Sequence, residues 1–163
     1  MPKRPGWRRF AREERGNSIV EFSIAISMLL MAVFGVIDCS RALYTYHFVS
    51  YAAEQGARYA MVRGGDWTSS CSSYTSYACT ASTANVQSYV QSLTPPGITA
   101  SSVSATPTWP GTTVSGSTTG CSVTTDQGCL VKVKVSYAFH FMLPYLPVAG
   151  LSMTATSEQV IAY

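Results

Sequence analysis

Charge is scarce in this chain. Asp, Glu, Lys and Arg together make up 12% of its 163 residues, about half the share of a typical soluble domain. That argues against a highly soluble cytosolic enzyme and against a disordered acidic tail. Histidine occurs twice, as His47 and His140, and neither stands beside a nucleophile or ligand motif. A lone histidine is more often structural than catalytic. Gly116-Ser-Thr-Thr-Gly120 lacks the Lys of a phosphate loop, and no Gly-x-Ser-x-Gly elbow occurs. Sequons of the Asn-x-Ser/Thr type are absent too. The chain is therefore expected to be no enzyme, with no cofactor and no metal.

The charge that is present is unevenly placed. Residues 1–16 hold Lys3, Arg4, Arg8, Arg9, Arg12 and Arg15 against Glu13 and Glu14, a net +4, while the remainder nets −1. No basic domain exists to grip nucleic acid. The basic and aromatic run Trp7-Arg8-Arg9-Phe10 reads instead as an anchor to the inner leaflet of a membrane.

Residues 17–37 supply the reason. They form a 21-residue stretch with a single ionisable side chain, Glu21. As a helix this stretch would be roughly 31 Å long, about the thickness of a bilayer's hydrocarbon core. It is apolar on every face, unlike an amphipathic surface helix. A transmembrane helix over 17–37 is expected, with lipid as a partner. The basic leader keeps the N-terminus in the cytoplasm and sends the C-terminus out. A cleaved secretory signal would have a shorter apolar core and a small-x-small site after it, and Ile37 has neither. A lipoprotein signal would need small residues before Cys39, where Ile37 and Asp38 stand.

A plain anchor does not account for Gly16 at the polar–apolar boundary, or for Glu21 inside the run. A carboxylate at the centre of a membrane helix costs about 2.5–3.5 kcal/mol on insertion scales, and less near the interface. A cut after Gly16 would give Glu21 a partner. Asn17 would then carry a free amine at i, i+4 from the carboxylate, on one helix face. A neighbouring subunit's amine would serve equally.

A basic leader, Gly16, four residues, Glu21, the aromatic Phe22 and a long apolar run together resemble a type IV prepilin. The wider pattern is Arg15-Gly-Asn-Ser-Ile-Val-Glu21-Phe, Phe34-Gly-Val-Ile-Asp38, Arg41-Ala, Ala52-Ala and Gly56-Ala-Arg58-Tyr-Ala60. It is similar to the TadE family of pseudopilins of the Tad (tight adherence) pilus machinery. The resemblance covers about residues 13–63. It implies processing after Gly16 by a prepilin peptidase that reads Gly16, Asn17, Glu21 and Phe22. It implies other pilins or pseudopilins and the Tad assembly platform as partners. It also implies a single pass in a bacterial inner membrane, or a place in an extracellular pilus after processing. Phe22 stands where major Flp pilins usually have Tyr, and those pilins are much shorter chains. Both departures point to a minor pseudopilin.

Residues 38–63 lack proline and read as an outward continuation of the helix. A continuous helix over 17–63 would be roughly 70 Å long. Gly64-Gly65 is its stop signal. Asp38 and Arg41, at i, i+3, are expected to form a surface ion pair worth a few tenths of a kcal/mol. Ala53, Gly56 and Ala60 would let another backbone approach closely. Packing on the chain's own sheet is the alternative use of these positions. With Arg58 and the Asp38–Arg41 pair, they are the helix-contact candidates. Cys39 is expected to stay a free thiol.

Residues 64–163 read as an extracytoplasmic α+β domain, a small antiparallel sheet packed on the outer half of the long helix, as in other pseudopilins. Residues 98–128 hold fifteen Ser or Thr, a composition of exposed loops that also suits an adhesive surface. A short helix is expected over 82–93, with Val86, Tyr89, Val90 and Leu93 on one face and Pro95-Pro96-Gly97 as its stop. Strands are expected near 101–106, at Val131-Lys-Val133-Lys-Val135, and at 151–156. The apolar connection from Phe139 to Leu146 is read as cover for the core. Cys71 and Cys79, and Cys121 and Cys129, each lie eight positions apart. Local pairing within each is preferred among the three connectivities and implies an oxidising compartment. A zinc site is the competitor, disfavoured because no Cys-x2-Cys spacing or nearby His occurs.

Two other functions fit the same span and outer domain. One is an uncleaved, membrane-anchored periplasmic binding or adhesive module. The other is a periplasmic redox or metal protein using the four outer cysteines.

Overall fold

The computed structural model describes residues 10–65, 80–121, 123–142 and 150–162, with side chains from Asn17 onward. The chain divides into two units, Met1–Arg41 and Ala42–Tyr163. Helix α1, Phe10–Val62, supplies the first unit's described residues and enters the second. The second unit adds helix α2, Thr83–Ser92, and strands β1, Val103–Thr108, β2, Leu130–Phe139, and β3, Leu151–Val160. The architecture is α+β: a long N-terminal helix with a small antiparallel sheet in the order β1-β2-β3.

Sequence alternation builds the centre of the sheet. Val131, Val133 and Val135 of β2 are fully buried, while Lys132 and Lys134 are exposed. Burying each valine contributes about 1.5–3 kcal/mol. In β1, Val103, Ala105 and Pro107 face inward. Pro107 is tolerated because β1 is an edge strand, where a missing ladder N–H costs least. On the outer face Lys132 lies opposite Glu158 in β3 and forms an ion pair with it.

The two valines of α2 and a stripe of α1 complete the core. From α1 come Phe48, Val49, Ala52, Ala53, Ala57, Tyr59 and Ala60, and from α2 come Val86 and Val90. Ser82 caps α2, its hydroxyl accepting from the Asn85 N–H at 3.2 Å. Tyr89 stacks on Tyr59 with ring centroids 4.5 Å apart, and the Arg63 guanidinium lies 4.2 Å from the Tyr59 ring. Gly56 marks the closest approach. A Cβ there would lie 3.0 Å from Val90 Cγ2 and 3.1 Å from Val133 Cγ1. The absence of a side chain lets α1 touch α2 and β2 at one point.

The chain's end ties this unit together. Ile161 N–H donates to Cys129 O at 2.8 Å, and Ala162 N–H donates to Met61 O at 3.0 Å. Arg63 O accepts from Ala81 N–H at 2.9 Å. The carbonyls of Met61 and Arg63 at the end of α1 thus find partners. Cys121 and Cys129 are disulfide-bonded across a Cα–Cα distance of 5.7 Å. Gly120 and Gly128 flank that loop with φ of 87° and 88°, a conformation that favours glycine. The expected Cys71–Cys79 bond lies outside the described residues.

Gln87 gives α2 a second task. Its side-chain amide donates to Val103 O at 2.9 Å, and its carbonyl oxygen accepts from Ala105 N–H. Gln91 also donates to Val103 O, at 3.3 Å. Gln87 therefore satisfies the edge of β1 as a neighbouring strand would. Gln87→Leu keeps the volume and removes both bonds. Leaving the Ala105 N–H unpaired is expected to cost about 1–3 kcal/mol, read as a lower melting temperature. An unchanged melting temperature would contradict this role.

β2 and β3 are longer than the sequence pattern suggested, and β1 lies two residues further along. The strand expected near 101–106 is β1, preceded by a 3-10 turn at Ala100–Ser102. β2 runs on to Phe139, whose ring meets Phe141 edge-on at 5.2 Å, so this part of the apolar connection does cover the core. Residues 143–146 of that connection lie outside the described residues.

Candidate functional site

The candidate site is the first unit's stretch of α1. Apolar side chains there are exposed all round the helix, among them Ile19, Phe22, Met28, Leu29, Phe34 and Val36. The helix is long and apolar enough to cross a membrane, and none of the residues in its most apolar window is buried. Its serines are adapted to such a setting. Ser23 donates to Ile19 O at 2.7 Å, Ser27 to Ser23 O at 2.7 Å, and Ser40 to Val36 O at 2.8 Å. Each of these three hydroxyls is satisfied one turn back within the helix, as a helix crossing lipid requires.

The expected processing residues lie in sequence along this helix. The Gly16–Asn17 peptide lies within α1, which starts at Phe10. Asn17, Glu21 and Phe22 are all exposed. The Glu21 carboxylate makes no hydrogen bond or ion pair with any described residue. Its side chain is one turn from Asn17 on the same face, near the lower end of the apolar run.

Asp38 and Arg41 are brought together, with Nη1 to Oδ1 at 3.1 Å. The pair is not the surface pair expected from the sequence. Arg41 is 43% exposed in its side chain, but the Asp38 side chain is only 4% exposed. An acid so buried depends on its partner far more than a solvated one does. Arg58 pairs with Glu54 one turn back, and both are exposed. Ala53, Gly56 and Ala60 face the second unit's own core.

Elsewhere on α1, Leu43, Tyr44, His47 and Tyr51 join Leu93 and Pro95 around an open groove of about 530 Å³. Sequence reading missed this aromatic face, although Tyr44, Tyr46 and Tyr51 are visible as a cluster. It also missed Gln87, for which no local signal exists. Among the described residues no three His, Cys, Asp or Glu side chains gather as metal ligands would. The features of the site are an apolar contact surface, one carboxylate and one glycine.

Residues 16–58 match the family model described as TadE-like protein. Over these residues the chain is similar to TadE-like proteins. The match begins at Gly16, takes in the whole apolar run and ends at Arg58, within the helix that carries every residue of the site. It covers about a quarter of the chain, and α2 and the sheet lie beyond it. No curated protein and no solved structure matches the chain.

Proposed function

We propose that this TadE-like chain is a minor pseudopilin. It is inserted in the inner membrane with its leader in the cytoplasm and cut after Gly16 by a prepilin peptidase. It then takes part in assembling a Tad pilus, in contact with other pilins and the assembly platform. The observation that carries this reading is the Glu21 carboxylate, without a partner among the described residues, in an exposed apolar stretch of helix five residues after Gly16 and within the matched segment.

The chemistry of the cut follows from these positions. Cleavage turns Asn17 into the first residue of α1 and gives it a protonated amine. At about 4 Å and an effective dielectric near 20, an amine–carboxylate pair attracts by about 4 kcal/mol. That is comparable with the cost of about 2.5–3.5 kcal/mol for a carboxylate at the membrane centre. The cut also moves Glu21 close to a helix N-terminus, where the helix dipole favours an anion. The amine of Asn17, or that of a neighbouring subunit, thus lets the helix leave or re-enter lipid without an isolated charge.

The Cys121–Cys129 disulfide supports an oxidising compartment for the second unit, and the basic leader supports a cytoplasmic N-terminus. A Tad-bearing strain deleted for this chain is expected to lose its surface pili. The wild-type chain should restore them, and a Glu21→Ala chain should not. Normal piliation in the deletion strain would contradict an assembly role.

A further inference from the structure

Between α1 and α2 lies an open cleft of about 390 Å³, a size usual for small-molecule sites. It is lined by Gln55, Arg58 and Tyr59 of α1, by Arg63 just beyond it, and by Tyr89 and Ser92 of α2. The second unit has only Arg58, Arg63, Lys132 and Lys134 as Lys or Arg residues, and both arginines meet here with no acidic side chain among the described lining residues. The cleft therefore gathers positive charge in a unit that has little of it. The Arg63 guanidinium lies on the Tyr59 ring, which is itself stacked with Tyr89. Such stacking engages the face of a guanidinium and none of its N–H groups, and it fixes the direction of the N–H fork. Arg58 bonds to Glu54 one turn back, with side-chain exposures of 57% and 47%. A pair so exposed holds weakly, so an incoming anion can take the place of Glu54. Gln55 supplies an amide donor and acceptor, and the Ser92 hydroxyl, which donates to Tyr89 O, keeps its lone pairs for another donor.

We propose that this cleft binds a small hydroxylated anion, a sugar acid or a sugar phosphate. The guanidiniums of Arg58 and Arg63 take its oxyanion, for which their planar forks are suited. Gln55 and Ser92 take its hydroxyl groups. Glu54 is then a competitor that the ligand displaces from Arg58, and its removal should help binding. A structural role for the two arginines would give the opposite result, since it would gain nothing from the loss of an ion pair. The cleft involves none of residues 16–22, so its test is separate from that of the processing.

The test uses the full chain in a polyoxyethylene detergent, which carries neither sugar nor phosphate. Glucuronate, glucose-6-phosphate and glucose are titrated in turn and binding is read by saturation-transfer NMR of the ligand, so that one body is compared with a carboxylate, a phosphate and no charge. Either anion is expected to bind where glucose does not, and the tighter of the two assigns the oxyanion. Arg58→Gln and Arg63→Gln are each expected to weaken that binding about ten-fold, the loss of one charge-assisted contact. Glu54→Gln is expected to tighten it several-fold, and Lys134→Gln, on the exposed face of the sheet, to leave it unchanged. Circular dichroism on heating checks that each variant is folded; Arg58 and Glu54 are exposed, so their variants keep the test decisive if Arg63→Gln melts early. Anions that bind no better than glucose, a folded arginine variant that binds as the wild type does, Glu54→Gln without tighter binding, or Lys134→Gln as damaging as Arg58→Gln would each overturn the proposal.

Discussion

Gly16→Leu is expected to remain at full length in membranes that contain an active prepilin peptidase. The Gly16–Asn17 bond lies within α1, so the proposed cut would have to draw it out of helical conformation before a nucleophile could reach its carbonyl. Glycine is the residue that resists this least, being about 0.8–1 kcal/mol worse than alanine inside a helix. Leucine removes that weakness. On the helix term alone, cutting would slow by about five-fold, the equivalent of about 1 kcal/mol. The expected loss is larger, about a hundred-fold or more, because a peptidase that selects glycine would also have to admit the branched side chain. Gly16→Ala separates the two terms, since it restores helix propensity with little bulk. Mass spectrometry of the membrane-bound chains gives the readout. A Gly16→Leu chain cut as fast as the wild type would remove Gly16 from the account.

Gly56→Leu is expected to lower the melting temperature of the outer unit by roughly 10 °C, through a loss of about 3 kcal/mol. Even the first added carbon would press on Val90 and Val133 at 3.0 and 3.1 Å, and both valines are fully buried. Neither can swing into solvent, so α1 has to shift from both α2 and β2. Gly56→Ala is the milder probe. Its contact is tight, but alanine gains back about 1 kcal/mol of helix propensity, so a small net change is expected. The full chain in detergent, followed by circular dichroism on heating, measures both. Unchanged melting for Gly56→Leu would mean that the close approach of α1, α2 and β2 does not hold the unit together.

The long helix and the close approach at Gly56 show where sequence reading reaches and where it stops. The helix that follows Gly16 is legible because its signal is local: an apolar run of 21 residues with one ionisable side chain. The Val131–Val135 alternation and the short helix expected over 82–93 are legible for the same reason. Gly56 is visible only as one of a stripe of small residues. Whether a stripe meets a foreign helix or the chain's own sheet depends on contacts with Val90 and Val133, distant in sequence. Gln87 carries no signal at all, because the strand it guards begins sixteen residues later. Asp38 and Arg41 are legible as a pair, but the burial of Asp38 is not. The second half of β3 escapes hydropathy patterning because its inward residues Ser157 and Gln159 are as polar as their outward neighbours.

The central claim is the proposal that this chain is matured by a single cut that exposes the amine of Asn17 beside Glu21. Intact mass and N-terminal sequence of the membrane-bound protein, with and without a co-expressed prepilin peptidase, test it most directly. The account predicts a chain beginning at Asn17 only where the peptidase is present. A chain still beginning at Met1, beside a control substrate that the same peptidase cuts, would contradict it and leave an uncleaved anchor bearing an outer domain.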